Sequence, residues 1–507
     1  MSAPAQQLAA SAVQSVDWLA ITPPTLTAVI ALVVLVADLF VPEARKPLLG
    51  WVPVAGLAAA TLSLLPLLDG DRGTFCLPRQ PRVCSYTADH FTLVVQFLVL
   101  GAALLVALLS VTALKDARGG LPEGEYWFLL LSATAGAALL PAARDLATLI
   151  VALEVASLPA FALVGLRHGD RRSSDAALKF FLSSVTATAV SLLGVSFVYA
   201  TTGTLYLTQV AARIQHVDGQ FHTLAQTGVV LTLVGFAFKL AAVPFHFWVP
   251  DTYAGAPLPI AAYLSVVGKA VGFTGLILVT VVAFPSYAGV WGPALAVLAA
   301  LTMTVGNVGA LRQHPTRAYS AVRLLAWSSV GQAGYLLVPI AAAGYAHDAR
   351  KSIGSTVAYA LMYAVVNLGA FTVAALVGRT RTRNRVADYR GLYAARPVTA
   401  LLLAFFLLCL AGLPPGVIGL FAKVTVFSAA VDAGLGWLAV VMAVNVVIAL
   451  FYYLQWTALL FRAPEGAPAR LRMPAPLTAA LTLTGLLGIA LSGAPQLVLR
   501  FAGGGLF

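Results

Sequence analysis

Long apolar runs follow one another along this chain without the every-second-residue alternation of half-buried strands, and that pattern limits its folds more than anything else. A helix needs about 20 apolar residues to cross a hydrocarbon core of about 30 Å. In lipid each backbone N–H and C=O must be paired within the protein, so only helices and closed barrels span. Unalternated runs select helices. Composition leaves no soluble alternative: 60% of the 507 residues are hydrophobic and 10% charged, against roughly 25% charged in a soluble domain. The expected fold is an all-α integral membrane protein of about fourteen transmembrane helices.

The spans read as Leu26–Val41, Trp51–Leu68, Phe91–Leu114, Tyr126–Leu140, Leu146–Leu166, Ala176–Thr201, Leu224–Val249, Leu258–Phe284, Val290–Leu311, Leu324–Gly344, Thr356–Gly378, Val398–Val431, Leu435–Phe461 and Leu477–Leu499. Asp17 interrupts what would be a signal peptide, so the first run reads as a retained helix. The net charge of +12 comes mainly from arginines in short loops, not from a basic face on a folded module. Nucleic acid is therefore not an expected partner; lipid is. Lys and Arg favour the loops after odd-numbered helices by roughly three to one, including Arg118 and Arg470, over those after even-numbered helices, including Arg79. Such a bias places the odd loops in the cytoplasm and both termini outside. Cys76 and Cys84 then lie in an outside loop, as a disulfide or as two free thiols; Cys409 reads as core packing.

Four of the seven lysines, Lys179, Lys239, Lys269 and Lys423, fall inside spans, while the arginines keep to loops and span ends. Desolvation lets a buried lysine give up its proton, whereas arginine stays charged. Lysines chosen over arginines at membrane depth suit a proton path, and intramembrane ionisable groups read as functional by default. The alternatives are snorkelling, which suits Lys179 near its helix end, and static ion pairs. Glu154, near the middle of the fifth span, needs a cation or a proton; a lysine on a packed neighbour is the expected partner. Asp38 reads as interfacial.

Two helices read as broken, the seventh at Pro244 after Lys239 and the twelfth at Pro414–Pro415 before Lys423. Proline deletes a helix hydrogen bond, and freed carbonyls at membrane depth must line protein or a wetted cavity. Transporters place sites at such breaks in corresponding positions of two repeats. Helices four to eight and nine to thirteen then form two five-helix repeats, inverted because five is odd. The divisions are 1–124, 125–284, 285–462 and 463–507. His246, seven residues after Lys239, falls near the same helix face and either relays protons or caps the helix end. Tyr359, Tyr363 and Asn367, spaced by four, either order water between the halves or pack. The sequence offers no metal-ligand cluster, phosphate loop, nucleophile motif or cofactor signature.

The run from Phe238 to Pro257 (FKLAAVPFHFWVPDTYAGAP), with Glu154 before it, Lys269 after it and the stretch Arg323–Tyr335 (RLLAWSSVGQAGY), resembles the antiporter-like membrane subunits of bacterial respiratory complex I over helices four to thirteen. The span number and a lysine at 423 resemble the subunit N type. The resemblance implies a proton channel in the bacterial plasma membrane, coupled to quinone reduction elsewhere in the complex, with subunits of the M, K and J types as neighbours and no cofactor in this chain. It implies Glu154 and Lys239 as a coupling pair, Lys179 on a lateral or access route, Lys269 as central relay and Lys423 facing the exit. One residue more than usual separates Pro415 from Lys423, which a π-bulge would absorb, and the second half offers Gln332 where the first has Glu154. Two other readings stay open: a cation/proton antiporter without redox partners, and a membrane anchor whose ion pairs only specify packing.

Overall fold

The computed structural model describes residues 16–78, 80–117, 121–167, 169–346, 348–464, 472–504 and 506. Arg79, Arg118 and Arg470 of the loop-charge reading lie outside them. The helices are α1 (Trp18–Phe40), α2 (Trp51–Leu62), α3 (His90–Ala117), α4 (Glu123–Leu139), α5 (Leu146–Val164) and α6 (Arg171–Thr202). They continue with α7a (His222–Leu240), α7b (Val249–Gly255), α8 (Leu258–Ile277), α9 (Ala288–Leu311), α10 (Ser320–Ala343) and α11 (Ala349–Gly378). The last are α12a (Pro397–Ala411), α12b (Val417–Asp432), α13 (Gly436–Phe461) and α14 (Ala475–Gly493). Among the described residues, 13 helices are long and apolar enough to cross a membrane alone; the two pieces of α12 together make the fourteenth expected span.

α1 begins earlier than its apolar run suggests. The Asp17 carboxylate accepts from the backbone N–H groups of Leu19 and Ala20, capping the first turn. Pro23 and Pro24 then sit inside the helix. Pro24 lacks the N–H that would bond the Ala20 carbonyl, and the Tyr86 hydroxyl donates to that carbonyl instead, at 2.9 Å.

Tyr86 belongs to an element the sequence reading missed, an antiparallel hairpin of β1 (Arg72–Leu77) and β2 (Gln80–Ala88) between α2 and α3. Cys76 faces Cys84 across it, and the two form a disulfide. The hairpin is clasped to its surroundings by Arg72 on Asp17 (2.8 Å), by the Asp17 N–H on Thr74 Oγ1 (3.1 Å) and by Gln209 on Gln80 (2.8 Å).

α7 and α12 break in the same way. α7a ends at Ala241 in the left-handed conformation (φ 67°), and α12a at Gly412 (φ 85°); in each, a proline follows three residues later, Pro244 and Pro415, both after cis peptide bonds. The seventh and twelfth spans are therefore interrupted, not continuous. α12b, which carries Lys423, is α-helical throughout, with no π-bulge to absorb a residue; the π-helical turn among the described residues lies at Leu278–Ala283, after α8. His246 falls in the break after α7a, so its seven-residue distance from Lys239 does not put the two on one helix face.

Small residues bring the middle helices close. A Cβ on Gly306 of α9 would stand 2.2 Å from the Gly331 backbone N of α10. α8, α10 and α11 are buried almost throughout, so whatever polar side chains they carry face protein. The loops sort onto two faces. The hairpin, Arg144 with Asp89, and the C-terminal turn, whose Phe501 packs near His90, share one face. Asp116 with Arg379, and Asp251 with Lys179 and Arg323, share the opposite, more basic face.

Candidate functional site

Three of the in-span lysines are buried: Lys239 is 3% exposed, Lys269 2% and Lys423 5%. None has a carboxylate within salt-bridge distance among the described residues; each points at a hydroxyl or a carbonyl. Lys239, on the last turn of α7a, donates to Ser157 Oγ of α5 at 2.8 Å, with the Phe180 ring 5.5 Å away. Lys269 on α8 donates to the Leu240 carbonyl at 3.1 Å. Lys423 on α12b donates to the carbonyls of Leu410 (2.9 Å) and Ala411 (2.7 Å) and lies 5.3 Å from the Tyr335 ring.

The carbonyls follow from the breaks. A helix end leaves its last carbonyls without intrahelical donors. Leu240 ends α7a, and Leu410 and Ala411 end α12a. The broken helices thus supply acceptors at depth, and lysines of α8 and α12b fill them.

Glu154 on α5 is half-buried, and Thr188 Oγ1 of α6 donates to its Oε1 at 2.6 Å. The expected Glu154–lysine contact pair is not formed. Glu154 lies within electrostatic reach of Lys239, yet Thr188 occupies the carboxylate and Ser157, one turn along α5, occupies the amine. Each group is thus engaged by a hydroxyl, the carboxylate by Thr188 and the amine by Ser157.

Lys179 sits near the charged end of α6, its side chain 49% exposed, bonded to Asp175 (2.9 Å) and Asp251 (3.2 Å); Arg323 holds the other Asp251 oxygen at 3.0 Å. This cluster ties α6, α7b and α10 together at the basic face, and no hydrogen bond among the described residues links Lys179 to the buried lysines. His246 is half-buried in the break, beside the Pro244 backbone, with its ring 5.7 Å from Trp327.

Tyr359, Tyr363 and Asn367 of α11 bond directly across to other helices. Tyr359 donates to Gln332 Oε1, Tyr363 to Ser329 Oγ at 3.0 Å, and Asn367 to Ser265 Oγ at 2.6 Å. Ser265 lies one turn from Lys269 on α8, and Gln332 shares the Leu410 carbonyl with Lys423 (Nε2 at 3.4 Å). Tyr453 of α13 adds its hydroxyl to Ser328 and Gln332. A ladder of polar side chains therefore runs through the middle of the molecule, from Glu154 and Lys239 past Lys269 to Gln332 and Lys423. Ser157 and Ser265 had a signal in the sequence, a hydroxyl three or four residues from a buried charge; Thr188 and Tyr453 had none, because only packing brings their helices alongside.

Residues 143–449 match the family model described as NADH:quinone oxidoreductase/Mrp antiporter, transmembrane. The chain is 74% identical to NADH-quinone oxidoreductase subunit N 2 of Streptomyces griseus, over 98% of this chain and 96% of that one. It is 45% identical to NADH-quinone oxidoreductase subunit N of Salinispora tropica, over 90% and 87%. Among solved structures it resembles a chain of respiratory complex I from Thermus thermophilus, with TM-score 0.75 and 31% identity over 95% of this chain and 100% of that one. With a match across more than half its length and relatives this close over nearly all of it, the chain belongs to the NADH:quinone oxidoreductase/Mrp antiporter transmembrane family.

Proposed function

We propose that this chain is the proton-translocating subunit N of a bacterial NADH:quinone oxidoreductase, carrying protons along its buried polar ladder while other subunits carry out the redox chemistry. Relatives named subunit N at 74% and 45% identity favour this over an antiporter lacking redox partners. Its neighbours are then the other membrane subunits of the complex, of the M, K and J types. The chain lies in the plasma membrane with the basic face toward the cytoplasm and both termini outside.

The observation that carries the relay is the setting of Lys239, Lys269 and Lys423: buried amines whose partners are hydroxyls and carbonyls. Such a partner accepts from an ammonium and leaves no counter-ion that would fix the proton there. A static ion pair would show the opposite. Glu154 supplies the adjustable charge. With its carboxylate beside Lys239 the ammonium is favoured; when the pair separates or the carboxylate is neutralised, the amine releases its proton toward Lys269. From there the ladder continues by Ser265 and Asn367, then Tyr363 and Tyr359, to Gln332 and Lys423. The shared break geometry of α7 and α12 supports two inverted repeats, α4–α8 and α9–α13, because an odd helix and an even helix run in opposite senses.

Lys239→Ala or Glu154→Ala, in complex that still assembles, is expected to impair proton pumping and coupled NADH oxidation. Normal pumping in either variant refutes the relay. Normal pumping after replacing both with apolar residues would assign the pair to packing.

A further inference from the structure

The polar ladder lies at mid-depth and needs a way in from the basic face. Lys179, expected on such a route, is half exposed and engaged with carboxylates at that face. A different opening is present. A cleft of about 940 Å³ lies between the two halves on the basic face, lined by Asp116, Arg167, Tyr253, Pro257 and Arg379 among others. Tyr253, on α7b, is 1% exposed. It lines the cleft, and its hydroxyl lies 3.5 Å from Ser329 Oγ. Ser329 is the hydroxyl to which Tyr363 of the ladder donates at 3.0 Å. One turn of α11 beyond Tyr363, Asn367 Oδ1 is buried without a partner, an acceptor that a water molecule satisfies. Asn367 is in turn bonded to Ser265, one turn from Lys269.

The geometry points to Tyr253 as the inlet of the proton path, joining the cleft between the halves to the ladder through Ser329 and Tyr363 and so delivering protons next to Lys269. A hydroxyl both donates and accepts. A proton on water in the cleft passes to Tyr253 oxygen as the Tyr253 proton moves to Ser329. The Tyr363-to-Ser329 bond is the orientation left after a proton has passed; once the O–H bonds have turned so that Ser329 donates to Tyr363, Ser329 gives its own proton to Tyr363, and Tyr363 gives its own to water beside Asn367. Each oxygen gains one proton and loses one, and rotation of the three O–H bonds resets the chain. The Lys179–Asp251–Arg323 cluster acts by position. Asp251 lies two residues before Tyr253 on the same short helix, so its ion pairs hold the inlet in place.

This assignment rests on the proton-relay reading, and its test separates the two. Tyr253→Phe keeps the ring that packs near Trp248 and Phe371 and removes only the hydroxyl. Ser329→Ala removes the next oxygen, and Lys239→Ala reports on the relay itself. Tyr263→Phe is the control, a buried tyrosine whose hydroxyl meets Thr134 away from the ladder. Each is made in the whole complex, and native gels verify assembly. Inverted membrane vesicles are assayed for proton uptake per NADH oxidised, in H2O and in D2O. Loss of a positioned proton-transfer group costs on the order of tenfold or more. Tyr253→Phe and Ser329→Ala are expected to slow coupled proton uptake by at least about tenfold and to enlarge the solvent isotope effect, with Tyr263→Phe unchanged. Wild-type uptake and isotope effect in Tyr253→Phe, while Lys239→Ala is impaired, overturns the inlet and leaves the relay standing. Wild-type uptake in Lys239→Ala overturns the relay, and the inlet with it.

Discussion

Ser157 bears most directly on Glu154 and Lys239, because its hydroxyl is the acceptor that the amine takes in place of the carboxylate. Lys239 Nζ donates to Ser157 Oγ at 2.8 Å, and that hydroxyl donates onward to the Leu153 carbonyl at 2.6 Å. Ser157→Ala deletes the acceptor of an amine that is 3% exposed. A hydrogen bond to a charged group contributes about 1.5–3 kcal/mol, and each 1.4 kcal/mol is a factor of about ten. The ammonium recovers that loss by turning to Glu154, one turn away on α5, and forming the contact pair that the hydroxyls now prevent. An ammonium paired with a carboxylate in a low-dielectric interior gives up its proton more slowly than one bonded to a hydroxyl. Coupled NADH oxidation in assembled complex is therefore expected to fall by roughly ten- to a hundredfold, and Ser157→Thr, which keeps the oxygen, to retain most of it. The assay is proton uptake by inverted vesicles against NADH consumed, with the Glu154 carboxylate followed by infrared difference spectroscopy. Wild-type turnover in Ser157→Ala, with an unshifted carboxylate band, would remove Ser157 from the path and with it the idea that Lys239 is kept apart from Glu154 for a purpose.

Two further expectations concern packing and the hairpin. Gly306→Ala pushes a methyl against the Gly331 backbone N, 2.2 Å from the new Cβ; overpacking costs typically about 1–3 kcal/mol, so the detergent-extracted complex should lose this subunit at a lower temperature, by native gel after heating. Asp17 is pushed up by burial, but its bonds from Arg72 and from the N–H groups of Ala20 and Leu19 more than offset this and hold its carboxyl below the ordinary value. A depressed carboxyl stabilises the fold above its unfolded-state range and loses that contribution as pH falls through the folded value. Acidification should therefore loosen the clasp on β1, seen as faster proteolysis of the hairpin, and Asp17→Asn should remove most of that pH dependence.

Which segments form the long apolar helices was legible from the chain, and their lateral neighbours were not. Unbroken apolar runs place helix ends well: α5 begins at Leu146, α9 ends at Leu311, α11 at Gly378 and α13 at Phe461, as read. The reading failed where backbone groups find partners outside their own helix. The first span reads as starting at Leu26, whereas α1 begins at Trp18, because nothing local reveals that Tyr86 will take the Ala20 carbonyl next to Pro23 and Pro24. The hairpin was hidden in a loop whose alternation is short and whose cysteines allowed two readings. At the site, the lysines declared themselves by sitting in apolar sequence, and Tyr359, Tyr363 and Asn367 by their spacing. Their partners come from other helices, and helix-to-helix register is set by packing of small residues that hydropathy does not encode. His246 shows the converse error: a helical spacing was assumed across a break that the sequence itself had announced.

In the proposed pair of repeats, the position of Glu154 in the first half is held by Gln332 in the second. Three residues beyond each lies the group that meets a buried lysine, Ser157 under Lys239 and Tyr335 under Lys423. The surroundings correspond, yet the charge does not. Gln332 gives its NH2 to the Leu410 carbonyl at 3.4 Å, the same oxygen that Lys423 reaches at 2.9 Å, and takes a proton donor from Tyr359 on its other side. On the proposed relay, an amide there would let Lys423 change protonation without a carboxylate answering, making a charge switch of the first half and a plain relay of the second. Gln332→Glu tests the distinction. The new carboxylate oxygen would replace an NH2 that already shares an acceptor with Lys423, turning two donors on one carbonyl into an ion pair. An ammonium so held is favoured by roughly one decade in proton affinity for each 1.4 kcal/mol of added attraction, and Lys423 would then give up its proton too slowly to keep pace. Proton uptake and NADH oxidation should fall together in assembled complex, and lowering the pH enough to neutralise the carboxylate should restore part of both. If Gln332→Glu pumps like the wild type at every pH, the amide is not what frees Lys423, and the difference between the halves has no part in moving protons.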